Sequence, residues 1–111
     1  MDKLVIDGGQ KLSGSIKISG AKNAALPLLA SGLMCSGTLQ LSNVPELADT
    51  VSMIELMEHL GVQIARTDTQ INIAGKVKTL DAPYEQVRKM RASILVLGPL
   101  LARYGSVKVS L

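Results

Sequence analysis

Gly20-Ala21-Lys22-Asn23 stands between an alternating, strand-like stretch and one rich in Ala and Leu. A strand that ends on Gly and turns straight into a helix leaves backbone N–H groups unpaired, and the Lys22 ammonium adds a full positive charge beside them. Such a corner suits a phosphate or a carboxylate. The plainer alternative is a solvated lysine followed by an asparagine that caps the helix. The segment lacks the spacing of a Gly-rich phosphate loop, so its pattern alone leaves both open.

A second cationic group lies in Gln86-Val87-Arg88-Lys89-Met90-Arg91-Ala92-Ser93. Arg88 and Arg91 are three apart and share a helix face if this segment is helical. A planar guanidinium at a pocket edge suits a diphosphate, whereas a solvated basic face is the bland reading. Arg91 is set apart by its place at the mouth of the uncharged run Ala92 to Ala102, where an arginine serving solvent alone is less expected.

Other chemistries find little support. Cys35 follows Leu33-Met34 with no histidine near, and reads as a small buried thiol. His59 is the only histidine and has no second ligand beside it, so no metal site is expected. Glu55 and Glu58 read as a solvated helix face, and the five Met as core. Aromatic platforms beside the basic residues are missing, which disfavours nucleic acid as a partner.

The elements that must hold these residues follow from periodicity. Leu4 to Ile6 and the alternating Lys11 to Ser19 predict strands. Ala24 to Met34 predicts a helix, with Pro27 tolerated in its first turn. Thr38 to Ser42 returns as a strand with Leu39 and Leu41 inward. Leu47, Val51, Ile54, Met57 and Leu60 form one helical stripe, with Gly61 placed as its left-handed cap. Val62 to Ala65 and Ile71 to Ile73 predict a hairpin. Asn43-Val44-Pro45 and Asp81-Ala82-Pro83 read as helix starts whose polar side chain ahead of the Pro can cap. A helix follows from about Tyr84 through Met90, then a helical Ser93 to Leu101 interrupted at Gly98-Pro99, then a strand from Val107 to Leu111. The order predicts a mixed α/β domain. A chain ending inside a strand suggests a piece of something longer.

Composition fits one domain: 111 residues, 47% hydrophobic, 2% aromatic and 19% charged, so the core must be aliphatic and intrinsic disorder is excluded. The net charge of +3 is uneven. The stretch 23–75 carries Arg66 alone against five acids, while 76–111 carries seven cations against Asp81 and Glu85, so the C-terminal third would draw an anion. A single Cys suits a reduced compartment. The uncharged runs are too short or too broken to span a bilayer, the N-terminus lacks a signal-peptide pattern, and a cytoplasmic location is expected.

Taken in order, Ile18-Ser19-Gly20-Ala21-Lys22-Asn23-Ala24-Ala25-Leu26-Pro27, Asn43-Val44-Pro45, Ala82-Pro83-Tyr84, Met90-Arg91-Ala92-Ser93, Leu97-Gly98-Pro99-Leu100 and Ala102-Arg103 resemble a known family. They are similar to the N-terminal quarter of the UDP-N-acetylglucosamine 1-carboxyvinyltransferases, which belong to the enolpyruvyl transferases. The resemblance implies an α/β fold of repeated βαβαββ units, the inside-out α/β barrel type, incomplete in this chain. It implies that strands in residues 1–21 cross to a second domain, and that 22–111 form the first part of the domain bearing the cleft. By the same likeness Lys22 and Asn23 contact phosphoenolpyruvate and Arg91 contacts UDP-N-acetylglucosamine. Asp49 matches a cleft-edge acidic position in related transferases.

The implied reaction transfers the enolpyruvyl group of phosphoenolpyruvate to the sugar 3-hydroxyl with release of phosphate, the first committed step of peptidoglycan synthesis and so a requirement of cell wall, shape and division. No metal or organic cofactor is implied, and neither is a nucleic acid or membrane partner. In the family a Pro-Gly-Gly-Cys loop bearing the catalytic acid follows the position of Leu111, and Cys35 does not match it. The chain by itself is therefore expected to hold no catalytic residue, to turn nothing over, and to bind the UDP-sugar too weakly for calorimetry. Enolpyruvyl transfer to shikimate phosphate is the sister alternative, where Ser follows the Lys and an Arg lies within the helix; Asn23 and the lack of any cation between Lys22 and Arg66 speak against it. A non-catalytic binding module on a related repeat scaffold, such as an RNA-end-processing relative, is the alternative from another class. Unpaired strands make self-association a further expectation.

Overall fold

The computed structural model describes residues 1–110. Its centre is helix α2 (Ala48–Leu60), flanked by α1 (Lys22–Ser31) and by an antiparallel sheet of β1 (Leu39–Leu41), β2 (Gln63–Thr67) and β3 (Gln70–Ala74). The strand order is β1-β3-β2, with Leu39 and Ile64 both opposite Ile73. The hairpin turns through Asp68-Thr69, where Asp68 takes the left-handed region at φ 53°, a conformation that a short polar side chain tolerates. Beyond the sheet lie β4 (Asp81–Ala82), α3 (Tyr84–Val87), a 3₁₀ turn at Arg91–Val96, α4 (Leu97–Tyr104) and β5 (Lys108–Val109), which pairs parallel to β4. The strand expected at Val107 to Leu111 is β5; Leu111 itself lies outside the described residues.

The core is aliphatic, as the composition demands. Leu29, Leu33, Met53, Leu56, Met57, Leu60, Ile71, Val96 and Leu100 lose all contact with solvent. After α1 the chain tightens into a 3₁₀ turn at Gly32–Met34. A Cβ on Gly32 would lie 2.9 Å from the Ile73 side chain, so the missing side chain is what lets the end of α1 close onto β3.

Several expectations need correction. The buried face of α2 is Thr50, Met53, Leu56, Met57 and Leu60, while Val51 and Leu47 stay exposed. The cause is Thr50. Its Oγ1 lies 2.8 Å from the carbonyls of Pro45 and Leu47 and accepts the Leu47 N–H at 3.0 Å, so a satisfied hydroxyl turns the helix by one position. Neither Asn43 nor Asp81 caps a helix: α2 starts after Leu47, α3 starts after Pro83, and Asp81 and Ala82 are strand. Gly61 does take the left-handed cap position, at φ 110°.

Pro27 is the sixth residue of α1, beyond the first turn, and removes the donor that the Asn23 carbonyl would use. Gly98-Pro99 does not interrupt a helix but lies in the first turn of α4, where Pro needs no donor. Residues 1–21 run without strand structure, with Leu4, Ile6, Leu12, Ile16 and Ile18 at least three-quarters exposed. Their alternation is strand-like, but a strand exists only through a ladder partner, and these residues have none among the described residues.

Candidate functional site

Lys22 is the first residue of α1, after Ala21 in extended conformation. No side chain caps this end, so the plainer alternative for Asn23, a capping role, does not hold. The Ala21 carbonyl accepts the N–H groups of Ala24 and Ala25, which leaves the Lys22 and Asn23 amides at the open, positive end of the helix. The corner is held by contact behind it. A Cβ on Gly20 would overlap the Asn43 carbonyl and come within 3.0 Å of the Pro45 ring, and Asn43 donates from Nδ2 to the Ile18 carbonyl at 3.4 Å. Gly20 is thus required for close approach, and Asn43, at φ 57°, bends the chain beneath it.

The Lys22 ammonium meets Asp49 Oδ2 at 2.9 Å, with both side chains part-exposed. Asp49 lies in the first turn of α2, favourably placed on that helix's dipole. Lys22, Leu47, Ala48 and Asp49 line an open cavity of about 340 Å³. First turns of two helices therefore face one space, with a cation on one and a carboxylate on the other. An anion entering there meets the Lys22 ammonium and one competing negative charge; Asn23, the next residue of α1, does not line this cavity.

Arg88 and Arg91 line a second cavity of about 280 Å³ with Tyr84, Val87, Met90, Ser93 and Ile94. They do not share a continuous helix face. The α3 helix ends at Val87, Met90 is extended at φ −155° and ψ 127°, and Arg91 opens the 3₁₀ turn. Arg88 is paired with Glu85 at 2.9 Å and Lys89 with Glu55 at 2.9 Å. Arg91 has no carboxylate partner among the described residues. The cavity floor is apolar and its rim carries two guanidiniums, an arrangement suited to a flat ring with a diphosphate tail.

Lys22 and Arg91 line separate cavities, and α1 packs against both α2 and the 91–96 turn. Glu55 is exposed, as a solvated helix face would be, and pairs with Lys89. Two positions carry contacts that no residue pattern signals. Ser93 is buried and bonded to backbone within its own loop. Arg103 donates from Nη1 to the carbonyls of Leu33 at 2.8 Å and Cys35 at 2.7 Å, closing the C-terminal end of the α1 segment. The Cys35 thiol is part-buried, near the Ser31 carbonyl at 3.7 Å. Among the described residues no group of three potential metal ligands occurs and no helix is long and apolar enough to cross a membrane.

Comparison with known proteins adds to this geometry. The family model for EPSP synthase (3-phosphoshikimate 1-carboxyvinyltransferase) matches residues 6–111. Along its whole length the chain is 51% identical to UDP-N-acetylglucosamine 1-carboxyvinyltransferase 2 of Carboxydothermus hydrogenoformans and 54% identical to UDP-N-acetylglucosamine 1-carboxyvinyltransferase of Desulfosudis oleivorans. It spans 27% of the length of each. Among solved structures, the enolpyruvyl transferase NikO from Streptomyces tendae superposes with a TM-score of 0.73 at 23% identity, over 88% of this chain and 23% of that one. That likeness concerns the fold alone.

Proposed function

The chain belongs to the EPSP synthase (3-phosphoshikimate 1-carboxyvinyltransferase) family, and from that premise we propose that it supplies the substrate-holding part of an enolpyruvyl transferase acting on UDP-N-acetylglucosamine. Lys22 and the amides at Lys22 and Asn23 take the phosphate and carboxylate of phosphoenolpyruvate. Arg91, with Arg88 beside it, takes the diphosphate of the UDP-sugar. The sugar 3-hydroxyl adds to the central carbon of phosphoenolpyruvate as its methylene carbon gains a proton. The adduct then loses that proton and phosphate, leaving the enolpyruvyl ether. The groups that move these protons are assigned outside this chain, as is a second domain reached by residues 1–21.

The observation that carries the reading is Lys22 at the uncapped start of α1, part-exposed and facing a cavity. Cations preset in this way offset the repulsion between two phosphate-bearing substrates and hold them in register. The acceptor is chosen by the names of the relatives at 50% identity or more and by the absence of any cation between Lys22 and Arg66, against the shikimate phosphate of the family's own name.

The test replaces the matching quarter of the Desulfosudis oleivorans relative with this chain and measures phosphate release from phosphoenolpyruvate. Release dependent on UDP-N-acetylglucosamine is expected, falling roughly 10²- to 10³-fold with Lys22→Ala, the scale on which a lost preset electrostatic contact acts. An unchanged rate in that variant would refute the role given to Lys22.

A further inference from the structure

Ser93 is 1% exposed, and its hydroxyl bonds backbone carbonyls alone, one of them at the end of α3. Its Oγ lies 2.9 Å from the Val87 carbonyl and 2.6 Å from that of Met90. The Ser93 N–H also donates to the Met90 carbonyl at 3.1 Å, and the Met90 N–H to that of Val87 at 3.3 Å. One buried hydroxyl, sharing its single proton between the two carbonyls, therefore spans the Val87 to Met90 loop, the segment that stops α3, turns through an extended Met90 and delivers Arg91 to the cavity rim. No other side-chain hydrogen bond among the described residues reaches a carbonyl of this loop.

We propose that Ser93 is a positioning residue: by fixing the carbonyls of Val87 and Met90 it sets the direction of the Arg91 guanidinium, and with it the affinity of the cavity for the diphosphate of a UDP-sugar. The inference rests on the assignment of this cavity given above. Arg91 has no ion pair among the described residues to restrain it, and a long side chain left free loses rotamer entropy on binding. Its backbone anchor is then the part that the protein can preset. A hydroxyl buried between two carbonyls does this at fixed geometry, whereas an alanine there leaves both carbonyls with only their backbone donors.

The test titrates UDP-N-acetylglucosamine into the ¹⁵N-labelled chain at millimolar concentration, with N-acetylglucosamine as the control lacking the diphosphate, and follows the Arg91 Nε–H and Ile94 amide signals. Shifts from the nucleotide sugar and not from the free sugar are expected. Ser93→Ala should weaken binding about fivefold, the equivalent of one hydrogen bond, while Ser93→Thr, which keeps the hydroxyl, retains it. Amide exchange at Leu56 and Ile73 should be the same in all three proteins, which separates positioning from general loosening. Undiminished affinity in Ser93→Ala alongside lost binding in Arg91→Ala would overturn the role of Ser93 and leave the cavity assignment standing. If Ser93→Ala and Ser93→Thr weaken binding equally, or core exchange accelerates in step, Ser93 is structural only. No shift in the unaltered chain would overturn the cavity assignment and this inference together.

Discussion

The Lys22 ammonium and the Asp49 carboxylate, 27 positions apart in sequence, meet at 2.9 Å where the first turns of two helices face the same cavity. The pair keeps a cation pointed at the opening while partly neutralising it. Both groups are part-exposed, so solvent and salt screen the attraction, and it is worth roughly 0–1 kcal/mol. Asp49→Asn should therefore shift the urea unfolding free energy by no more than that.

Gly20→Ala tests the rear wall of the corner. The new methyl would overlap the Asn43 carbonyl, a backbone atom that cannot swing aside. The chain must lift away from the Asn43-Val44-Pro45 turn, at a cost of about 1–3 kcal/mol for an overpacked contact. Faster amide exchange at Val44, whose N–H bonds the Thr69 carbonyl, should report the loss.

Arg103 closes the α1 segment by giving one Nη1 to two carbonyls. Arg103→Ala should destabilise the chain by about 1.5–3 kcal/mol, the range for hydrogen bonds from a charged donor. Thermal unfolding followed by circular dichroism measures it, and a change below about 0.5 kcal/mol would assign those carbonyls to water instead.

Leu56→Ala supplies the core reference. Leu56 is wholly buried on α2, and its truncation should cost about 2–5 kcal/mol. In a chain of this size that is a large share of the total stability, so a flattened unfolding transition is expected.

How far the sequence disclosed this depends on the kind of contact. Gly61 and the β2–β3 hairpin were legible because each is set by local chemistry: a left-handed cap, and alternation around a polar turn. The face of α2 was misread by one position because the buried Thr50 looks polar in a pattern and is satisfied only by carbonyls that the fold brings to it. Ser93 and Arg103 were invisible for the same reason, as their partners are backbone oxygens and carry no residue type. Residues 1–21 have strand periodicity without a strand, since alternation states which face is apolar and not what pairs with it. Lys22 and Arg91 were picked out by residue type and position, but their placement in separate cavities came only with the fold.

Titration of phosphoenolpyruvate into the ¹⁵N-labelled chain at low salt tests the central claim most directly. Shifts concentrated at the Ala21, Lys22 and Asn23 amides and at Asp49, fading with added salt and absent in Lys22→Ala, are the predicted result. Shifts elsewhere with these amides unmoved, or an undiminished response in Lys22→Ala, would contradict it.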